Sequence, residues 1–95
     1  MIRGYRDRKT RAFAEGRPVR AFRSFENQAA RRLAILNAAP SLDTLRSLPG
    51  NRLEALRGDR VGQYSIRINR QRRLCFEWPD GQAGPDNVEI VDYHV

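Results

Sequence analysis

The chain has 95 residues, 40% of them hydrophobic, which is enough for one modest core and no second domain. Eighteen basic side chains, all arginine except Lys9, face eleven acidic ones, giving a net charge of +7 and a pI near 11. One cysteine and one histidine exclude an internal disulfide and an all-protein zinc site, and no apolar run is long enough for a transmembrane helix.

In chain order, Ile2–Tyr5 reads as a short edge strand. Asp7–Glu15 reads as a short helix, stopped by Gly16 with Pro18 beyond it. Phe22, Phe25, Ala29, Leu33 and Leu36 recur at steps of three and four, which predicts an amphipathic helix over 22–38. Ala39-Pro40-Ser41 ends it, a helical turn follows over Leu42–Leu48, and Pro49-Gly50-Asn51 is a turn. Beyond Arg60 the period changes to two. Tyr64, Ile66 and Ile68 share one face of a strand, with Ser65 and Arg67 on the other. Asn69-Arg70-Gln71 joins it to Arg72–Trp78, in which Leu74, Phe76 and Trp78 face the core and Arg73, Cys75 and Glu77 face away. After a turn at Pro79-Asp80-Gly81 and a loop to Asp86, a last strand turns Val88 and Ile90 inward. The expected fold is α+β: one domain over 1–95, with N-terminal helices on one face of a three-stranded antiparallel sheet.

That parity leaves a sheet face carrying Arg67, Arg73 and Tyr93, and it places Asp92 on the covered side. Six arginines (57, 60, 67, 70, 72 and 73) fall within a seventeen-residue stretch holding one acid, Asp59. Guanidinium forks suit phosphate, and a positive excess favours polyanions without selecting a sequence. His94, the lone histidine, titrates near neutrality and closes the segment Asp92-Tyr93-His94. A solvated surface is the plainer account of Arg67, Arg70 and Arg72, and bracing of a loop that of Arg60. Cys75, between Leu74 and Phe76, reads as a small inert core residue. The charged start, Met1 to Lys9, has no signal-peptide pattern, so a cytoplasmic protein is expected.

Three ordered blocks carry a resemblance. They are Leu53-Glu-Ala-Leu-Arg-Gly-Asp-Arg-Val-Gly-Gln-Tyr-Ser-Ile66, then Arg72-Arg-Leu-Cys-Phe76, then the closing Asp92-Tyr-His94. They resemble the pattern L-x-x-L-[KR]-G-[DN]-R-x-G-x-x-S-I, followed by [WR]-R-[IL]-x-F and a closing D-Y-H, of HigB-type killer proteins in the RelE/ParE toxin superfamily. The resemblance implies a RelE-like, microbial-RNase-like α+β fold and a ribosome-dependent messenger RNA endonuclease working in the A site. No cofactor is expected, and a metal mechanism is disfavoured because the Asp and Glu residues are scattered rather than clustered. The implied partners are a HigA-type helix-turn-helix antitoxin, the ribosome and its message, with operator DNA reached only through the antitoxin complex and no membrane. Carried over, the catalytic positions fall on Asp92, Tyr93, His94 and Arg73. Glu54 stands where the best-known members have histidine, and Gln71 stands where they have asparagine beside the nucleobase. Arg57 matches the basic residue of the first block, and Arg60, Arg67 and Arg70 join Gln71 as expected RNA contacts.

Cleaving RNA without a metal needs a base for the 2′-OH, a charge donor for the phosphorane-like transition state and an acid for the 5′-oxygen. The expected assignment makes Asp92 or Glu54 the base, Arg73 with Arg57 the phosphate clamp, His94 the acid, and Tyr93 the group that positions the nucleotide. Two rival functions are a ParE-like toxin that binds gyrase, and a weakly active basic nucleic-acid-binding protein acting as its antitoxin's co-repressor.

Overall fold

The computed structural model describes residues 1–92. Tyr93 and His94, and any role assigned to them, lie outside the described residues. Three helices pack on one face of a four-stranded antiparallel sheet of order β1-β2-β3-β4, an α+β architecture. The helices are α1 (Arg8–Ala14), α2 (Glu26–Ala38) and α3 (Leu42–Arg46). The strands are β1 (Glu54–Ala55), β2 (Gln63–Arg67), β3 (Arg72–Glu77) and β4 (Asp86–Asp92).

The expected helix over 22–38 is two elements. Arg20–Phe25 is a 3-10 turn, and α2 starts only at Glu26, after Phe25 takes φ −133°. Phe22 and Phe25 lie three apart, a spacing that buries both rings from either kind of helix, so the period does not separate the two. The expected strand over Ile2–Tyr5 reduces to one parallel bridge, Tyr5 to Val88, flanked by Arg3 N–H to the Pro85 carbonyl and Val88 N–H to the Gly4 carbonyl. The buried Thr10 hydroxyl of α1 accepts the Ile90 amide at 3.0 Å, which helps cover the outer edge of β4. β1 makes the sheet four-stranded rather than three-stranded.

Register matches the period-two pattern. Ser65 pairs with Cys75, and Cys75 pairs with Glu89. On the opposite face Ile66 pairs with Leu74, and Leu74 pairs with Ile90. The core lies between that face and the helices: Ile66, Leu74, Phe76 and Val88 pack against Phe22, Phe25, Ala29, Leu33, Leu36 and Leu45. Ser41 caps α3 by accepting the Thr44 amide, and Asn69 closes the β2–β3 hairpin, its Oδ1 accepting the Gln71 and Arg72 amides at 2.8 Å. The buried Asn51 joins the 3-10 turn at Pro49–Asn51 to α3 through the Leu45 carbonyl.

Candidate functional site

The face of the sheet turned away from the helices carries the polar side chains of alternate positions. Its centre is Arg73 on β3, only 12% of whose side chain is exposed. Nε donates to Ser65 Oγ at 2.8 Å, and Nη2 donates to the Arg52 carbonyl at 2.7 Å and the Ser65 carbonyl at 3.4 Å. Nη1 lies 3.9 Å from the Glu54 carboxylate. Glu54 reaches this place because β1 pairs it with Ser65, so the two share a face. The result is a guanidinium fixed by neutral acceptors, beside a half-exposed carboxylate, on an open surface.

A second cluster sits on the β4 side of the same face. Arg60 Nη1 donates to Gln63 Oε1 at 3.0 Å and to Glu89 Oε2 at 3.2 Å, and Arg6 Nε stands 3.5 Å from the same oxygen. Arg60 is therefore engaged within the protein, bracing the loop before β2. Between the clusters, Ser65 and Cys75 are fully buried, so the open face is roofed by its own long side chains. Burial pushes the Cys75 thiol up to about 11; Glu89 adds to the rise, while Arg60, Arg73 and Arg6 oppose it. A thiol so placed stays protonated near neutrality, as an inert core residue does.

The remaining residues are distributed around this centre. Asp92 lies on the helix-covered side, as strand parity requires. Its carboxylate is 3.4 Å from Arg72 Nη1, and Arg72 in turn stacks over the Phe25 ring at 4.9 Å. Asp92 and Arg73 thus project from opposite faces, and Glu54 is the carboxylate that shares Arg73's face. Arg67 is the strand partner of Arg73, and its Nε donates to the Asn69 carbonyl. Arg70 and Gln71 are exposed at the hairpin tip, and Gln71 Oε1 accepts from Arg72. Arg57 is exposed just before the 3-10 turn at Gly58–Arg60. Sequence reasoning missed Ser65 and Arg52 as supports of Arg73. The Ser65 signal was present, since it shares Arg67's face in β2. The Arg52 contact is made by a backbone carbonyl, in a residue with φ +47°, and leaves no mark on residue type.

Among the described residues, no group of three or more His, Cys, Asp or Glu side chains could hold a metal ion, and no helix is long and apolar enough to cross a membrane.

Comparison with known proteins agrees with the fold. A family model described as the RelE-like toxin HigB of type II toxin–antitoxin systems matches residues 5–94. Toxin HigB-1 of Vibrio cholerae serotype O1 is 52% identical over 60 residues, 63% of each chain. An uncharacterized protein of Haemophilus influenzae is 38% identical over 66 residues, 70% of this chain and 65% of that one. Each match thus spans just under two thirds of the relative's length. With nearly its whole length covered by the family model, the chain belongs to the HigB-like family of RelE-like toxins.

Proposed function

We propose that the chain is the toxin of a type II toxin–antitoxin pair: a metal-independent endoribonuclease that cuts translated messenger RNA in the ribosomal A site and is neutralised by a HigA-type helix-turn-helix antitoxin. The observation that carries this reading is the pinned Arg73 guanidinium beside the Glu54 carboxylate on the open face. Strand pairing sets Arg73 opposite Val91, and His94 follows Asp92 by two residues, a reach of at most about 7 Å along the chain.

In the proposed reaction Glu54 takes the proton of the 2′-OH, and the resulting oxygen attacks the adjacent phosphorus. Negative charge gathers on the phosphoryl oxygens, where Arg73, helped by Arg57, offsets it. The P–O5′ bond breaks as His94 delivers a proton to the departing oxygen, leaving a 2′,3′-cyclic phosphate and a 5′-hydroxyl. Tyr93 stacks on the nucleotide. Proton-transfer groups contribute about 10²–10⁴-fold, and a preorganised charge donor contributes a comparable factor. Arg73 needs little reorganisation, because its Nε and Nη2 donors are already bound to protein oxygens. Asp92, held by Arg72 on the other face, serves in this reading to fix the end of β4 rather than to take the proton.

Primer extension on messages from cells expressing the protein tests the proposal. The wild type should leave discrete, translation-dependent cuts within codons, whereas Arg73→Met and His94→Ala should each lose at least a hundredfold. Wild-type cutting by both variants, or no cutting by the wild type, would overturn it.

A further inference from the structure

At the hairpin end of the sheet lies an open groove of about 700 Å³. Four arginines line it: Arg32 from α2, Arg52 after the Pro49–Asn51 turn, and Arg67 and Arg70 from the β2–β3 hairpin. Gln28, Pro49, Gly50, Ile68 and Asn69 complete the wall. Two of the guanidiniums are held in place. Arg32 Nη1 donates at 2.7 Å to Oδ1 of the buried Asn51, and Arg67 Nε donates at 3.2 Å to the Asn69 carbonyl. Gly50 gives Arg32 room, since a Cβ there would stand 3.2 Å from Nη2. The groove is continuous with the Arg73 site. The Arg52 carbonyl accepts from Arg73, and Arg67 is Arg73's partner across the strands.

We infer that this groove binds the ribose-phosphate backbone of a single RNA strand flanking the bond held at Arg73. The inference rests on the proposed nuclease reading of that site. Four forked cations with no carboxylate in the wall match a row of phosphates, and the Gln28 amide offers a further donor for a ribose or base oxygen. An RNA strand, unlike a free phosphate, spans the step from this groove to Arg73.

Fluorescence anisotropy with a labelled 2′-O-methyl strand, which cannot be cut, tests the groove over about 50–200 mM salt. Each phosphate contact removed should flatten the slope of log K against log salt by about 0.7. Arg52→Gln/Arg70→Gln, both exposed and safe for folding, should therefore lower it by roughly 1.4. Arg32→Gln/Arg67→Gln should do the same. Arg8→Gln/Lys9→Gln on α1, an equal loss of net charge, should leave it nearly unchanged. Equal slopes in all three doubles would overturn the inference, as would displacement of the strand by poly-glutamate at equal charge concentration, or binding confined to a hairpin duplex. Because the strand resists cleavage, absence of nuclease activity would sink only the proposed function, and unaltered slopes would sink only the groove.

Discussion

Ser65→Ala probes the support on which the Arg73 site depends. Ser65 is fully buried, and its hydroxyl accepts from Arg73 Nε at 2.8 Å. Removing the oxygen leaves a charged donor unpaired beneath its own side chain, where little water reaches it, since only 12% of Arg73's side chain is exposed. A hydrogen bond to a charged group contributes about 1.5–3 kcal/mol, and the two carbonyl contacts of Nη2 do not replace this one. A loss near 2 kcal/mol in a domain of this size lowers Tm by about 8–16 °C.

Stability alone does not show that the loss passes through Arg73, so the informative assay is a double-mutant cycle. Urea unfolding of the wild type, Ser65→Ala, Arg73→Met and the double variant should give a coupling of about 1.5–3 kcal/mol. Coupling below about 0.5 kcal/mol, the scatter of independent sites, would refute the argument that Ser65 positions Arg73.

Cys75 makes stability fall at high pH. Its folded-state value of about 11 lies above the ordinary 9.0, so between those limits the unfolded chain releases a proton that the folded chain keeps. Stability is unaffected below pH 9 and declines as pH rises towards 11, by roughly 2–3 kcal/mol in all, at about 1.4 kcal/mol per unit. Cys75→Ala should remove that slope from denaturation midpoints measured across the range, whatever constant offset it adds. Asn51→Ala should cost about 3 kcal/mol, seen as a shift in urea midpoint, because it strips the acceptor from Arg32 and the donor from the Leu45 carbonyl at a fully buried position.

Local pattern reveals what local forces decide. Alternation over Tyr64–Ile68 and Arg72–Trp78 fixed which residues face the helices, because a half-buried strand tolerates no other parity. It also put Asp92 on the covered side, where the structure has it. The two-residue strand at Glu54–Ala55 could not be read this way. Both residues are exposed, and the strand exists only through pairing with Tyr64 and Ser65. Its absence from the reading hid the physical reason Glu54 meets Arg73, a meeting that only family resemblance had suggested. Arg60's engagement depends on Glu89, twenty-nine residues on, and Arg73's on a carbonyl, and neither partner follows from spacing.

The division of β4 between the two faces depends on one residue. Glu77 pairs with Asp86, while Cys75 pairs with Glu89, so Phe76 alone faces Asn87 and Val88. Asn87 is the extra residue, at φ +50°, with its side-chain amide donating to Glu77 Oε1 at 3.0 Å. Had the register of Asp86 continued unbroken, Glu89 would point into the core and Asp92 would emerge beside Arg73. The bulge therefore keeps Asp92 off the guanidinium's face, which Glu54 reaches independently through β1. Asparagine tolerates the left-handed region, whereas a β-branched residue does not. Asn87→Val should cost about 2–3 kcal/mol, combining about 1–2 for the backbone with about 1 for the lost hydrogen bond. Asn87→Gly loses the bond but relieves the backbone and should stay within about 1 kcal/mol of the wild type. Equal urea midpoints for the valine and glycine variants would mean that the bulge lies elsewhere, and the exclusion of Asp92 from the Arg73 face would lose its structural basis.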